Sequence, residues 1–273
     1  MAEHVRVTLD TSSYSGISVI AINRPDRKNA VDPLTAKALY EAILVFEDDP
    51  KQKVCVLTGT GGSFCAGADL HSVAQASNDT PSDNLHPVNG RNLGPMGPSR
   101  LITKKPVICA ISGYAVAGGL ELSLLADMRV VEEDAVFGVF CRRWGVPLID
   151  GGTVRLQAIV GLGRALDMIL TGRPVSAHEA LTMGLANRVV PKGESLKEAI
   201  GIAKQLITFP ELCLNTDRQS CYYSAYEASS FHDAMSQEFN AGGKVILQEA
   251  IAGAAKFSKG SGRHGSFKDH SKL

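Results

Sequence analysis

The sequence predicts an α/β protein that ends in a helical region, and three observations support this fold class. Short strands rich in β-branched residues alternate with helical patterns as far as residue 190. Two of the strands, near residues 56 and 107, run into glycine-rich turns that open helices. After Ser195 the apolar spacing is helical almost to Ser258, with interruptions at Pro210 and at Gly242 and Gly243.

The first part of the chain predicts a hairpin, a helix and a strand in that order. Residues 5–9 and 17–22 have the composition of two strands, separated by turn residues. Asp32 and Pro33 are a good helix start, and the helical spacing continues to about Asp48. The strand that follows completes an order of strand, helix and strand that is typical of a βα crossover.

Further elements follow the second glycine-rich turn. Residues 107–111, 128–131 and 186–190 are predicted strands. Asp150 caps or precedes a helix, and Ser176 with Glu179 forms a capping box on a helix to Met183. The Gly161-Leu162-Gly163 sequence resembles half of a dinucleotide fingerprint, but it follows a helical pattern and is therefore discounted.

The composition is that of a globular protein without a dominant charge. The chain has 273 residues, with 28 Lys and Arg against 28 Asp and Glu, so no net charge points to nucleic acid or an anionic membrane. No apolar run is long enough to span a bilayer. The six cysteines are scattered without the close pairs of a zinc site, which is typical of reduced core thiols in an intracellular protein. They are Cys55, Cys65, Cys109, Cys141, Cys213 and Cys221.

Both glycine-rich turns present backbone N–H groups where a helix begins, a good place to hold negative charge. The first turn leads through Ala66, Ala68 and Asp69 to Leu70, and the second leads through Gly118 to Glu121. Glu121 is the lone charge in an apolar run from residue 112 to 126. Such a carboxylate is expensive to desolvate unless it is paired or used, although a stabilising contact with the helix dipole also accounts for it.

Two polar segments have open interpretations. Residues 71–99 are irregular, and their composition fits a lid over a pocket as well as a disordered surface insertion. The tail 261–273 is polar and loose and ends in Ser271, Lys272 and Leu273. A terminal Ser-Lys-Leu is an address for the peroxisomal import receptor, so we expect the protein in the peroxisomal matrix.

Several motifs in one order resemble the enoyl-CoA hydratase/isomerase family, also called the crotonase family. The resemblance covers most of the chain and implies a spiral of ββα repeats with a C-terminal helical region, assembled as a homotrimer or a hexamer. It divides the chain into a spiral core (1–194), a helical trimerisation or lid region (195–260) and the tail (261–273). The motifs are Asn23-Arg24-Pro25 with Asn29-Ala30, residues 63–70, residues 117–122, Gly151-Gly152-Thr153 with Arg155-Leu156, and residues 170–173 through 184–185.

The resemblance implies that the backbone N–H groups of Ala68 and Gly118 form an oxyanion hole for the thioester carbonyl of an acyl-CoA. Two such donors stabilise the enolate that develops when a double bond is hydrated or shifted. The family's CoA contacts correspond to the main chain around Ala66, Ala68 and Leu70, with Asp69 beside them, and to Lys28 at the phosphates. Phe257 and Lys259 correspond to residues that reach the nucleotide on a neighbouring subunit.

Glu121 matches the first of the two catalytic glutamates of the family's hydratases, whereas Cys141 occupies the position of the second. A thiol with a pKa near 8.5 is a poor general base at neutral pH. Asp150 matches an acidic residue of the family's dienoyl-CoA isomerases, so Glu121 and Asp150 are the predicted acid/base pair.

The departure at Cys141 leaves three functions, ranked in this order. The first is a 2-enoyl-CoA hydratase of fatty-acid beta-oxidation. The second is an enoyl- or dienoyl-CoA isomerase, and the third is a CoA-thioester binder with weak catalysis. No cofactor is expected beyond the coenzyme A of the substrate. The histidines have no metal-ligand spacing, so no metal is expected. They are His4, His71, His86, His178, His232, His264 and His270.

Overall fold

A computed structural model describes residues 5–75 and 85–259. The chain divides into two compact units, Met1–Ala203 and Lys204–Leu273. The first unit contains all of the strands found in the described residues, and the second is helical.

The first unit alternates strands and helices in chain order. Its strands are β1 (Val7–Asp10), β2 (Ile17–Ile22), β3 (Val54–Gly59), β4 (Val107–Ile111), β5 (Tyr114–Val116), β6 (Met128–Glu132), β7 (Val136–Gly138), β8 (Val175–Ser176) and β9 (Arg188–Val190). Its helices are α1 (Pro33–Asp48), α2 (Leu70–Gln75), α3 (Gly118–Ser123), α4 (Gly152–Val160), α5 (Leu162–Thr171), α6 (Ala177–Thr182) and α7 (Ser195–Leu206). Short 3₁₀ turns occur at Pro25–Arg27, Pro98–Arg100 and Phe140–Trp144.

Six strands form a largely parallel sheet in the order β1-β2-β3-β4-β6-β9. The first pair is antiparallel, with Val7 opposite Ile22, and this is the hairpin that the sequence predicts. Every later pair is parallel. Strands β3 and β4 are almost entirely buried, which agrees with their continuous apolar sequences.

A second sheet has the order β5-β7-β8. Strands β4 and β6 are parallel neighbours in the large sheet, and β5 and β7 are parallel neighbours in the small one. The segments β4-β5-α3 and β6-β7-α4 are therefore successive ββα turns of a spiral, as the resemblance implies. Because β5 ends where α3 begins, the spiral fixes the start of α3 against the small sheet.

Local sequence explains how the main helices begin. The Asp32 carboxylate accepts a hydrogen bond from the Thr35 N–H (2.8 Å), and Pro33 occupies the first helical position of α1. The Ser176 hydroxyl accepts one from the Glu179 N–H (3.3 Å) at the start of α6. The predicted cap of α1 is thus present, whereas only the serine half of the predicted capping box of α6 is formed, because the Glu179 carboxylate pairs with Arg173 (2.6 Å).

The second unit consists of α8 (Glu211–Tyr226), α9 (Phe231–Val245), a π-helical turn (Ile246–Ala250) and α10 (Ile251–Ser258). Large apolar side chains on it are exposed: Phe231 by 82%, Phe239 by 76% and Leu247 by 75%. No side chain of α8 is buried.

The described elements differ from the sequence analysis in three places. The first compact unit extends to Ala203 and so includes most of α7, which buries Ala199 and Ala203 and whose Ser195 hydroxyl donates to Glu132 at the end of β6 (2.8 Å). Helix α9 continues through Gly242 and Gly243, and the helical structure is interrupted instead at residues 227–230, between α8 and α9. Strands β5 and β7 were not predicted, because three residues are too few to show a periodicity.

Candidate active site

A cavity of about 850 Å³ opens in the first unit, between the glycine-rich turns and the segment before α4. Its walls are mostly apolar, with the carboxyl groups of Asp69, Glu121 and Asp150 among them. The lining includes Lys28, Ala66, Ala68, Asp69, Leu70, His71, Met96, Tyr114, Gly118, Glu121, Phe140, Cys141, Trp144, Ile149 and Asp150. Most of the residues that the sequence singles out therefore line one space.

The two glycine-rich turns lie against each other at the cavity. The Cys65 N–H donates to Tyr114 O (2.8 Å), and the Val116 N–H donates to Cys65 O (3.1 Å). Gly67 has a φ of 98°, and a Cβ there would lie 3.0 Å from Gly118 N. Only glycine allows this approach of the two main chains.

Ala68 and Gly118 both line this cavity, and neither backbone N–H has an acceptor among the residues that the structure describes. Their neighbours are committed, because the Asp69 N–H donates to Val31 O (2.9 Å) and the Ala117 N–H donates to Gly138 O (2.8 Å). Gly118 is the first residue of α3, where an N–H has no partner within the helix. The two groups are therefore available to a carbonyl oxygen.

Glu121 is carried by α3 and is 3% exposed. Its Oε1 accepts hydrogen bonds from the backbone N–H groups of Asp150 and Gly152, both at 2.9 Å. A Cβ at Gly152 would lie 2.8 Å from Glu121 Cγ, so glycine is needed for this contact. The carboxyl group is thus held by the main chain that opens α4, while Oε2 accepts no hydrogen bond from the described residues.

Asp150 is also 3% exposed and precedes α4, whose N-cap is Gly151. Its Oδ1 accepts hydrogen bonds from the Met96 N–H (3.0 Å) and from the Ser99 hydroxyl. Both donors belong to the segment just before or within the turn at Pro98–Arg100.

Burial raises the pKa of Glu121 to about 7, and the nearby charge of Asp150 adds to that shift. Burial also raises the pKa of Asp150, opposed by its hydrogen bonds from Ser99 and Met96 and by the charges of Arg100 and Arg155. With a pKa of about 7, Glu121 is protonated in a substantial fraction of the molecules near neutral pH.

Cys141 lies in the 3₁₀ turn at Phe140–Trp144 and lines the same cavity, with 8% exposure. Burial raises the pKa of its thiol, and the charge of Glu121 acts in the same direction. The thiol is therefore neutral at physiological pH, which argues against its use as a base.

The predicted CoA-contact residues are distributed over both units. Lys28, Ala66, Asp69 and Leu70 line the cavity of the first unit. The ammonium group of Lys28 lies 4.7 Å from the centre of the Tyr114 ring, which places a positive charge at this wall.

The carboxylate of Asp69 is already used within the protein. It pairs with Arg24 (3.0 Å) and accepts from the His71 N–H (3.1 Å) at the start of α2. Phe257 and Lys259 belong to the second unit, where Phe257 is 57% exposed on α10. Ser271, Lys272 and Leu273 lie outside the described residues.

Sequence reasoning missed the residues that hold Asp150. Ser99 and Met96 belong to the irregular stretch 71–99, in which no periodicity or motif marks individual side chains. Arg155 was part of a quoted motif without a role. Its guanidinium donates to Ser99 O and to Leu101 O (2.9 Å), which ties that stretch to α4.

Two further features characterise the described part of the chain. No group of three or more His, Cys, Asp or Glu side chains is arranged to hold a metal ion there. None of the helices there has the length and apolar character required to cross a bilayer.

A family model described as "Enoyl-CoA hydratase/isomerase" matches residues 12–240 of the chain. The chain is 36% identical, over 68% of its length and 69% of the relative's, to a Mycobacterium tuberculosis protein named enoyl-CoA hydratase EchA19. It is 37% identical, over 71% of its length and 72% of the relative's, to carnitinyl-CoA dehydratase of Salmonella typhi.

Solved structures give the same comparison in three dimensions. The enoyl-CoA hydratase EchA1 of Mycobacterium marinum superposes with a TM-score of 0.84 at 30% identity, over 93% of this chain and 96% of that one. An enoyl-CoA hydratase of Mycobacterium tuberculosis superposes with a TM-score of 0.83 at 31% identity, over the same shares of each chain.

Proposed function

Because the chain belongs to the enoyl-CoA hydratase/isomerase family, we propose that it is an enoyl-CoA hydratase, which adds water across the double bond of a 2-enoyl-CoA in fatty-acid beta-oxidation. One observation carries this proposal. Two uncommitted backbone N–H groups, of Ala68 and Gly118, share a cavity with two buried carboxyl groups, of Glu121 and Asp150.

The N–H groups of Ala68 and Gly118 bind the thioester carbonyl oxygen. When water adds at the β-carbon, negative charge moves onto this oxygen as an enolate. Donors that are already oriented stabilise that charge without reorganisation, and each is typically worth about 3–4 kcal/mol of barrier. Because both donors belong to the main chain, this function does not depend on the side chain of Ala68.

Asp150 and Glu121 divide the proton transfers. The hydrogen bonds from Ser99 and Met96 favour the ionised form of Asp150, and the reactive form is the one in which Glu121, whose pKa is about 7, carries a proton. Asp150 accepts a proton from the water while the water oxygen bonds to the β-carbon. Glu121 then delivers its proton to the α-carbon, and a proton passes from Asp150 to Glu121 to restore the pair.

The same residues run the reaction in reverse, which is the dehydration of a 3-hydroxyacyl-CoA, since the forward and reverse reactions share one transition state. A hydratase and a dehydratase therefore need the same site, and relatives of both names occur at similar identity. The reaction uses side chains and backbone groups of this chain, with coenzyme A as part of the substrate and no further cofactor.

The decisive experiment is incubation of the purified protein with a trans-2-enoyl-CoA in ordinary and in heavy-oxygen water, followed by mass analysis of the product. Hydration gives a product that is one water heavier and carries the oxygen label. A shifted double bond at unchanged mass contradicts hydration and indicates an isomerase, for which the same carboxyl pair would move a proton between carbons. Binding without any reaction indicates a CoA-thioester binder.

For coenzyme A we propose contacts with Lys28 and with the main chain at Ala66 and Leu70, where the cavity opens. The ammonium group of Lys28 supplies the charge for a phosphate. Phe257 and Lys259 are proposed as contacts to a nucleotide bound by a neighbouring subunit. Lys28→Ala should raise KM for an acyl-CoA more than it lowers kcat, whereas an acyl-pantetheine, which lacks the nucleotide, should be affected much less.

A homotrimer or a hexamer, which is a dimer of trimers, is the proposed assembly. The exposed side chains of Phe231, Phe239 and Leu247 on the second unit support it, because large apolar groups in solvent favour association. Light scattering during size exclusion distinguishes the two states, and a monomer with full activity contradicts both.

We propose import into the peroxisomal matrix through Ser271, Lys272 and Leu273, since a free terminal Ser-Lys-Leu is recognised by the import receptor. The support is the tripeptide itself. Deletion of Leu273 should leave catalysis intact and move a fluorescent fusion, labelled at its amino end, to the cytosol. Continued import of the shortened protein contradicts this address.

A further inference from the structure

We propose that Ser99 is a positioning residue for the hydration reaction, whose hydroxyl holds the Asp150 carboxylate in the orientation and charge state of a general base. The inference rests on the proposed function, because it assigns a role to the residue that supports Asp150. Ser99 itself is 1% exposed and does not line the cavity. It therefore acts through Asp150 rather than on the substrate.

The contact places two donors on one oxygen. The Ser99 hydroxyl and the Met96 N–H both donate to Asp150 Oδ1. No described residue donates to Oδ2, and Asp150 lines the cavity. Because both hydrogen bonds go to Oδ1, Oδ2 remains free to accept a proton from water.

The surroundings limit where the Ser99 hydroxyl can point. A Cβ at Gly94 would lie 2.4 Å from Ser99 Oγ, so the hydroxyl packs directly against the Gly94 main chain. On the other side, the guanidinium of Arg155 donates to Ser99 O and anchors the residue to α4. Helix α4 begins two residues after Asp150, and through Arg155 it also anchors Ser99, which donates a hydrogen bond to Asp150.

The charged groups around Asp150 come from three elements. Glu121 faces it from α3, Arg155 from α4, and Arg100 from the turn that contains Ser99. In contrast to these charged groups, the Ser99 hydroxyl is a neutral donor, and its hydrogen bond favours the ionised form of the Asp150 carboxylate. Loss of this bond raises the pKa of Asp150, so the acidic limb of the kcat/KM profile should move to higher pH by about one unit.

The test compares Ser99→Ala and Ser99→Cys with a matched control, Ser195→Ala. Ser195 is also buried, and its hydroxyl also donates to a carboxylate, that of Glu132, outside the cavity. We expect Ser99→Ala to lower kcat roughly 10- to 100-fold with little change in KM, as expected for a hydrogen bond to a charged group. Ser99→Cys, which keeps a weak donor, should fall between Ser99→Ala and the parent, and Ser195→Ala should keep the parent's pH profile.

A double-mutant cycle separates positioning from a general structural role. In an Asp150→Asn background, Ser99→Ala should cause little further loss, because the group on which Ser99 acts is gone. Affinity for a saturated acyl-CoA, which cannot be hydrated, checks that each variant is folded. An unmoved pH profile in Ser99→Ala, or the same fold loss in both backgrounds, overturns the role of Ser99 and leaves the proposed function intact. Parent-like turnover in Asp150→Asn instead overturns the acid/base assignment itself.

Discussion

The backbone N–H of Asp150 donates to the carboxylate of Glu121 at 2.9 Å, while the side chain of Asp150 faces the same cavity as that carboxylate. Asp150 thus holds Glu121 in place and, through its own charge, adds to the rise that burial causes in the pKa of Glu121. The hydrogen bond comes from the main chain and is kept when the Asp150 side chain is replaced, whereas the effect of its charge is lost. Substitutions can therefore separate the geometry of the site from its electrostatics.

Glu121→Gln should lower kcat by about 100-fold or more, since general acid–base catalysis contributes at this level. The amide oxygen of glutamine can still accept the two backbone hydrogen bonds, so a saturated acyl-CoA should bind nearly as before. Steady-state kinetics and calorimetric titration measure the two effects. Glu132→Gln, at a buried glutamate outside the cavity, is the control. Turnover close to that of the parent would remove Glu121 from the mechanism.

Asp150→Asn should lose activity by a similar factor, whereas Cys141→Ala should change kcat only a few-fold. The reason is that a neutral thiol cannot replace a carboxylate as base, and burial holds the pKa of Cys141 above its ordinary value. Initial rates over a range of pH compare the two variants directly. The opposite pattern, with activity lost only in Cys141→Ala, assigns the second role to the thiol.

Local sequence was sufficient to single out Glu121, because it is the lone charge in an apolar run at the start of a helix, but its catalytic role comes from the resemblance to the family. Local sequence likewise predicts free N–H groups at the two glycine-rich turns. Only the resemblance assigns them to Ala68 and Gly118. Strands β5 and β7 were missed because they are too short to show a pattern. Yet β5 is the strand that leads into the turn before α3.

The support for Asp150 could not be predicted. Ser99 contacts it across 51 positions of sequence, and Met96 across 54. Both come from an irregular segment whose polar composition is equally compatible with a lid or a loose insertion. These contacts depend on how α4 packs against the turn at 98–100. Arg155 stabilises that packing by donating to the backbone carbonyl groups of Ser99 and Leu101. Since every residue has a backbone carbonyl group, the sequence does not indicate which ones Arg155 will contact.

The stability of the substrate-free protein should fall as pH rises from about 4.5 to 7, in part because of Glu121. Its pKa is raised from 4.5 to about 7 in the folded state, so over this range the unfolded chain releases a proton that the folded chain retains. Full ionisation of the folded state then costs roughly 3 kcal/mol of stability. Glu121→Gln removes this loss, so the melting temperature of the variant should rise relative to that of the parent as the pH increases from 5 to 8. A difference that is independent of pH would mean that Glu121 ionises normally in the folded protein.

Gly118→Pro should abolish most hydration, because proline has no N–H to donate to the thioester oxygen, and loss of one such donor typically costs about 100- to 1000-fold in kcat. Proline is tolerated at the first position of a helix, which Gly118 occupies in α3. Any side chain at this position also meets Met96, whose Sδ would lie 2.6 Å from a new Cβ. Gly118→Ala has the same steric contact but keeps the N–H, so it is the matched control. Because the flexible end of Met96 can move aside, alanine should retain much more activity than proline. Equal losses in both variants would assign the effect to crowding at Met96 rather than to the missing donor.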